Sequence, residues 1–426
     1  MEKLEVVACF DWLENEETVG WLGHESLRGS DVYSFQFSKN WLQNHSDIIL
    51  GKGLQNFPGI QYSQRTTGIF GCFADTLPDR WGRRLIDLRY RQQNIENGDS
   101  LRTLSDWDYL KGVEDVLRIG AFRFKEDSTG KYINVRENFQ VPPILSLNEL
   151  MEAANEIEKS TYNHTIPEQR WVQRLFYPGS SVGGARPKAC IADKGLLYIA
   201  KFPSIKDDID ISKWECFAHK MAKKCGVMAA ETKLISSRDG NDILLSKRFD
   251  RTIEGRRIHM ASSLSLLGLS DGAGERTGNG YLDIVEFIIS HGCNVQRNLE
   301  ELYRRVAFNI CIGNSDDHFR NHSFLLKRGG WELSPAYDMN PTLDRYQALL
   351  IDERTNEASL DILYKAHKSY LLDEHTACGI IKDVVRNMNY WKTTARSCGI
   401  PTNEINILED RIKYGIKTEQ NSFNKG

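Results

Sequence analysis

The sequence predicts an α+β fold in which strands dominate the first 250 residues and helices dominate the rest. Three observations predict it. Short runs of strand character, Val6–Trp12, Thr18–Leu22 and Val32–Phe37, open the chain and return later at Gly195–Pro203 and Ile243–Arg251. Apolar residues at helical spacing fill Leu299–Ile312, with further helices over Val384–Trp391 and Ile405–Tyr414. Between these helices a hairpin is expected, with Phe324–Leu326 and Trp331–Leu333 joined by a turn at Gly329-Gly330.

The elements follow in order. Val6–Trp12 and Thr18–Leu22 alternate across Glu14–Glu17 like a hairpin, and Val32–Phe37 adds a strand. Phe73 begins a helix-like run that reaches Arg91, with Pro78 and Asp79 as a start signal. Arg83, Arg84 and Arg89 crowd part of that run, either as an anion or partner surface or as a solvated helix face. Gly112–Phe124 reads as a turn into a strand. Pro142-Pro143 is the expected linker, because neither residue donates to a ladder and both stiffen the backbone. Leu147–Ser160 is an acidic amphipathic helix whose apolar positions point to packing. Ile284–Ile289 belongs to a helix, and Glu419–Gly426 is expected to be a frayed tail. Three regions result: 1–145, 146–250 and 251–426.

Composition excludes several classes. The chain has 426 residues, long enough for two or three domains. Its 55 basic and 58 acidic residues nearly cancel, so no overall field is directed at nucleic acid. No apolar run reaches the length of a membrane span, and the first ten residues lack the pattern of a secretory signal. Nine cysteines are scattered singly without a C-x-x-C pair, which speaks for a reducing cytoplasm and against a zinc knuckle or disulfide frame. A cytoplasmic protein is the expectation.

The chemistry concentrates between Ile310 and Pro341. Asp316 and Asn321 stand in a D-x-x-x-x-N spacing, and Asp338 follows the hairpin in the phrase P-A-Y-D. Phosphotransfer of the protein-kinase type needs three such groups: an Asp for the acceptor hydroxyl, an Asn on the metal, and an Asp bridging magnesium to phosphate. The hairpin would carry the two acidic sites to one end of a small sheet. Turn formation offers another account of the same residues, with Asp316 capping a turn and His318 and His322 donating to backbone carbonyls.

A second stretch, Y-P-G-S-S-V-G-G-A-R-P-K-A from Tyr177 to Ala189, carries glycines whose backbone can approach an anion. It lacks the Walker A pattern and leads into a strand, so it reads either as a flap over phosphates or as an ordinary Gly-rich turn. Lys201 is the one charge embedded in the strand L-L-Y-I-A-K-F-P. An ammonium there needs a phosphate or a carboxylate, and Glu215 in the following helix is a plausible partner. Gly226 signals the end of that helix.

The ordered set resembles the HipA family of bacterial serine/threonine kinases, the toxin halves of type II toxin–antitoxin pairs. The resemblance rests on F-A-D-T-L-P-D-R-W-G-R, S-S-V-G-G-A-R-P-K, Y-I-A-K-F-P, L-S-K-R-F-D-R, S-L-L-G-L-S-D-G, Y-L-D-I, N-S-D-D-H-F-R-N-H-S-F-L-L and L-S-P-A-Y-D-M-N-P, which together cover most of the chain. It implies a two-lobed, protein-kinase-like fold, with a HipA-type subdomain at 1–145, a kinase N-lobe at 146–250 and a helical C-lobe at 251–426. It implies ATP and Mg²⁺ as cofactors. Asp316 then corresponds to the catalytic base, with Asp317 as an alternative, and Asn321 and Asp338 to metal ligands. The implied nucleotide-contacting set is Ser181, Val182, Gly183, Gly184, Lys188, Lys201, Lys247, Phe249 and His318, with adenine meeting backbone groups of Lys247–Phe249. Ser181, or its neighbour Ser180, matches a loop serine that such kinases autophosphorylate. About −2 charge beside a phosphate-binding loop gives a physical reason for self-silencing.

Family members act on translation components such as aminoacyl-tRNA synthetases, so a protein substrate of that kind is implied. No helix-turn-helix region is recognisable, so a separate HipB-like antitoxin would carry operator binding, and DNA would be met only through it. A small-molecule kinase and a non-catalytic nucleotide-binding regulator are the alternatives.

Overall fold

The structure is a computed structural model that describes residues 2–27, 29–64, 68–179, 184–238 and 240–417. It forms two compact units, Met1–Asp207 with Ile235–Ala261, and Asp208–Leu234 with Ser262–Gly426. Among the described residues no helix is long and apolar enough to cross a membrane.

The first unit opens with β1 (Glu2–Ala8), β2 (Glu17–Leu27) and β3 (Ser30–Phe37), followed by the short β4 (Gln61–Tyr62) and by β5 (Phe122–Glu126). These make an antiparallel sheet of order β4-β3-β2-β1-β5. The expected opening hairpin is present, but its first strand is Glu2–Ala8, so that of the expected Val6–Trp12 only Val6–Ala8 is strand, and Leu4 lies opposite Leu22. Phe35, Phe73 and Phe122 fill its core, with ring centroids 5.2 and 5.7 Å apart in turn.

The helix expected from Phe73 is divided. A single helical turn at Gly71–Ala74 ends before Pro78, and α1 (Arg80–Asn97) begins behind it. Proline restrains Leu77 away from the helical region and supplies no N–H, so the chain restarts at Asp79, whose carboxylate accepts from the Gly82 N–H at 2.9 Å. Helices α2 (Asp106–Gly112), α3 (Leu147–Tyr162) and α4 (Gln169–Gly179) follow. Pro142-Pro143 is not a free linker: the Pro142 carbonyl accepts from the Ala192 N–H at 2.8 Å. Proline lacks the donor of a ladder but keeps its acceptor.

That bond joins the segment to β6 (Lys188–Asp193), which pairs antiparallel with β7 (Leu196–Lys201). With β8 (Thr232–Ser236) and β9 (Asp242–Lys247) they form a sheet of order β6-β7-β9-β8. Just after β9, the buried Arg248 and Asp250 are ion-paired at 2.6 Å, and Asp250 accepts from the Gly120 N–H at 2.9 Å. Arg248 also donates to the Leu117 carbonyl at 2.8 Å. Burial opposes ionisation of Asp250, but the guanidinium groups of Arg248 and Arg251 prevail and hold its carboxyl well below the usual range.

The second unit contains α5 (Ile211–Lys224), capped by Asp210, with Gly226 left-handed at its end as expected. A short strand, β10 (Met260–Ser262), precedes α6 (Tyr281–His291) and α7 (Val295–Ile312). The hairpin is β11 (Ser323–Lys327) with β12 (Gly330–Leu333), in a sheet of order β10-β11-β12. Lys327 pairs with Gly330, so Arg328-Gly329 make the turn and Gly330 belongs to the strand. Gly330 is needed there because a Cβ would stand 2.8 Å from the His291 carbonyl oxygen. The chain ends in α8 (Glu374–Met388), α9 (Trp391–Ser397) and α10 (Thr402–Lys417). The central helix is α7, nearly all of whose last ten residues are buried, packed by α8 and α10. It stops at Gly313, left-handed at φ 84, and the chain enters the loop that carries Asp316.

Candidate functional site

The two acidic residues at the head of this loop have opposite environments. Asp316 is exposed, whereas Asp317 is 4% exposed. Oδ2 of Asp317 accepts from the Tyr281 hydroxyl at 2.7 Å, from Asn309 Nδ2 at 2.8 Å and from His322 Nε2 at 2.7 Å. Burial by itself would raise its proton affinity, but the neighbouring His322 and the Tyr281 hydroxyl hold the carboxyl below the usual range. Asp317 thus anchors the loop from beneath, and Asp316 faces solvent above it.

Asn321 closes the loop. Its N–H donates to the His318 carbonyl at 2.8 Å, and its side-chain Nδ2 donates to the Asp316 carbonyl at 3.2 Å. The amide nitrogen is therefore engaged, and Oδ1 is the atom left for a cation. His318 precedes a single helical turn, Phe319–Asn321, and is half-buried.

The hairpin returns the second acidic residue to the same place. The Tyr337 hydroxyl donates to the Arg320 carbonyl at 2.6 Å and bonds Ser323 Oγ at 2.5 Å. Beyond Asp338, the Asn340 N–H reaches Asn314 Oδ1 at 3.4 Å, and the Thr342 N–H donates to the Gly313 carbonyl at 2.8 Å. Asp338 itself is left-handed at φ 56, a conformation that Asp tolerates better than most residues and that commonly marks functional loops. Asp316, Asn321 and Asp338 are thus bracketed together by bonds on both flanks. A small cavity of about 10 Å³, room for about one water, lies among Asp317, Asn321, His322, Tyr337 and Met339.

In the first unit, Lys188 and Lys201 are direct cross-strand partners, so both ammonium stems rise from one face of the sheet. Like charges placed directly opposite destabilise a sheet unless anions lie between or beside them. One such anion is Asp79, whose Oδ2 is 3.7 Å from Lys188 Nζ. Burial raises its carboxyl to about 6 against the pull of that ammonium. Gly184, left-handed at φ 103, packs against the same ammonium, where any side chain would collide with Lys188. Lys247 ends β9 opposite Tyr198, and the Arg248 N–H is bonded to the Leu197 carbonyl at 2.9 Å. Ser180, Ser181, Val182 and Gly183 lie outside the described residues, as does the tail at 419–426.

Three participants were not assigned from sequence. Tyr281 sat unassigned in the Y-L-D-I motif, Asn309 was one of many helix residues, and Asp79 was read only as a helix start. Their spacing from the residues they serve carries no signal.

A family model described as the HipA-like C-terminal domain matches residues 180–392, half of the chain. The chain belongs to this family. A Haemophilus influenzae protein named "Putative kinase" is 26% identical over 179 residues, 38% of this chain and 52% of that protein. The serine/threonine-protein kinase toxin HipA of Shewanella oneidensis is 27% identical over 215 residues, 43% of this chain and 49% of the toxin. The chain spans about half the length of the curated relatives it matches. Among solved structures, a chain of the Shewanella oneidensis complex of HipA, HipB and operator DNA matches with a TM-score of 0.63 at 16% identity. That match covers 97% of this chain and 96% of the other, and it establishes the fold as the α+β, kinase-like fold of HipA.

Proposed function

We propose that this protein is an ATP- and magnesium-dependent serine/threonine protein kinase that serves as the toxin of a HipA-type toxin–antitoxin pair. The observation that carries the reading is the bracketing of Asp338 onto the loop of Asp316 and Asn321 by Tyr337, Asn340 and Thr342. In this reading the exposed Asp316 carboxylate orients the acceptor hydroxyl and accepts its proton. Asp317, saturated by three donors, holds the loop and takes no proton at neutral pH.

Among the described residues no group of three or more His, Cys, Asp or Glu is gathered around a common point. Magnesium in phosphotransferases does not ask for one, since it keeps waters and takes one or two protein oxygens beside the phosphates. Asn321 Oδ1 and the Asp338 carboxylate fit that demand. The chemistry magnesium supplies when bound is charge neutralisation on phosphate oxygens. The Lys188–Lys201 face suits the polyanionic end of a nucleotide, and Lys201 is assigned to its phosphates. An aminoacyl-tRNA synthetase as substrate, a HipB-like antitoxin as partner and self-phosphorylation at Ser181 are proposed with it, supported by the resemblance of the sequence motifs to the HipA family.

Intact-mass measurement after incubation with Mg-ATP tests the reading. The expected result is added phosphate on the wild-type chain, mapping to Ser181 or Ser180, and none on Asp316→Asn. Unmodified wild type, with no phosphate passed to an added synthetase either, overturns the assignment.

A further inference from the structure

Four polar side chains, Asn298, Glu301, Arg305 and Asn309, recur along α7 at spacings of three, four and four residues and so share one face of the helix. Each holds a different part of the second unit. Asn298 Oδ1 accepts from the Leu333 N–H at the end of β12 at 2.9 Å, and Asn309 Nδ2 donates to Asp317 in the loop at 2.8 Å. Between them, Glu301 Oε1 accepts from Arg305 Nε at 2.7 Å and from the Met228 N–H at 3.0 Å. Arg305 Nη2 donates to the Ser334 carbonyl at 2.6 Å. The Met228 carbonyl in turn accepts from the Ala336 N–H at 2.7 Å, and the Ala336 carbonyl from the Ala230 N–H at 2.9 Å. The segment 334–336, which leads to Asp338, is therefore gripped from two sides, and both grips meet at the Glu301–Arg305 pair.

One nitrogen of that guanidinium has no such use. Arg305 is 2% exposed, and its Nη1 has no hydrogen-bond partner among the described residues. The same holds for Nδ1 of the equally buried His322, whose Nε2 is taken by Asp317. Both residues line the cavity of about 10 Å³ under the loop. A buried charged donor left without a partner costs more than an ordinary hydrogen bond contributes, and a polar cavity of this size takes one water. Nη1 can only donate, whereas Nδ1 of a neutral ring whose Nε2–H goes to Asp317 accepts. Water complements both nitrogens, accepting from the first and donating to the second. A cation does not, because the guanidinium repels it.

We propose that Arg305 and His322 hold one water in this cavity, and that Arg305, through this water and the Ser334 carbonyl, is a positioning residue that sets Asp338 against the loop of Asp316 and Asn321. The inference rests on the reading of Asn321 and Asp338 as metal ligands. Arg305 stands on the helix that ends in the loop, and its fork reaches the segment that runs on to Asp338, so both ligand-bearing segments are referred to one rigid element.

A crystal structure of the full chain tests the water. Mn²⁺ titration followed by electron paramagnetic resonance, beside a non-hydrolysable ATP analogue, tests the positioning. In the wild type, density for a water is expected within about 3.2 Å of both Arg305 Nη1 and His322 Nδ1. An empty cavity, or either nitrogen turned to a protein partner, overturns the water site. Arg305→Lys keeps the charge beside Glu301 but loses the planar fork, so Mn²⁺ affinity should fall by about tenfold or more. Glu301→Gln keeps the shape, weakens the hold on Nε and should shift the affinity in the same direction by less. Gly415→Ala disturbs α7 from another side and should leave the affinity unchanged. Wild-type affinity in both Arg305→Lys and Glu301→Gln overturns the positioning role, as does an equal loss in Gly415→Ala. A wild type that binds no Mn²⁺ beside the analogue removes the proposal with the metal site. These shifts in a chain that transfers no phosphate would uphold the positioning role and refute the phosphotransfer reading alone.

Discussion

Neighbouring carboxylates in the loop should respond in opposite ways to the same substitution. Asp317→Asn removes the charge from a buried group whose Oδ2 accepts three hydrogen bonds. A hydrogen bond to a charged group contributes about 1.5–3 kcal/mol and a neutral one roughly half as much, so each loses about 1 kcal/mol and the total is about 3 kcal/mol. For a unit of this size that lowers Tm by about 6–12 °C. Asp316→Asn alters an exposed group and should stay within about 0.5 kcal/mol, or about 2 °C. Phosphotransfer should instead fall by about 10²–10⁴-fold.

The carboxyl of Asp317 is depressed in the folded protein, so its contribution is present above the ordinary carboxylate range and is lost as pH falls through the folded value. The gap between wild type and Asp317→Asn should therefore shrink below about pH 4. Thermal melts at several pH values, paired with the mass assay, provide the test. If Asp316→Asn melts as early as Asp317→Asn, or if Asp317→Asn costs less than about 2 °C, the division of labour between the two residues is refuted.

Two further outcomes are expected. Asp79 has a carboxyl raised from 3.8 to about 6, so the folded state loses stability as pH rises across that window. Relative to wild type, Asp79→Asn should gain stability between pH 4 and 6 and level off above, by about 3 kcal/mol at most. Asn still caps α1, and a pH-independent difference in Tm would show that Asp79 is not the titrating group. Gly415 lets α10 lie against α7, where an added Cβ would stand 2.9 Å from the Cys311 Cα and closer still to the Ile310 carbonyl oxygen. Gly415→Ala should destabilise by about 1–3 kcal/mol, and a Tm within 1 °C of wild type would mean that the helices separate freely.

Much of the architecture was legible because its causes are local. Period-two alternation marked β1, β2 and β3, a proline and an aspartate marked the start of α1, and a D-x-x-x-x-N spacing marked the loop after α7. Local chemistry misjudged cases in which a distant neighbour decides. Gly330 reads as a turn residue, yet it belongs to β12 because the chain at His291 lies against it. Pro142 reads as a linker, yet its carbonyl is bonded to β6.

The sequence by itself determined which residue types could do chemistry and in what order they occur. It favoured Asp316 over Asp317 only through the spacing to Asn321, since two adjacent carboxylates are chemically alike. Their difference is made by Tyr281 and Asn309 on separate helices. Nor could it place Asp79 beside Lys188. Burial and charge pairing are properties of contacts between residues far apart in the chain, and only tertiary packing brings those residues together.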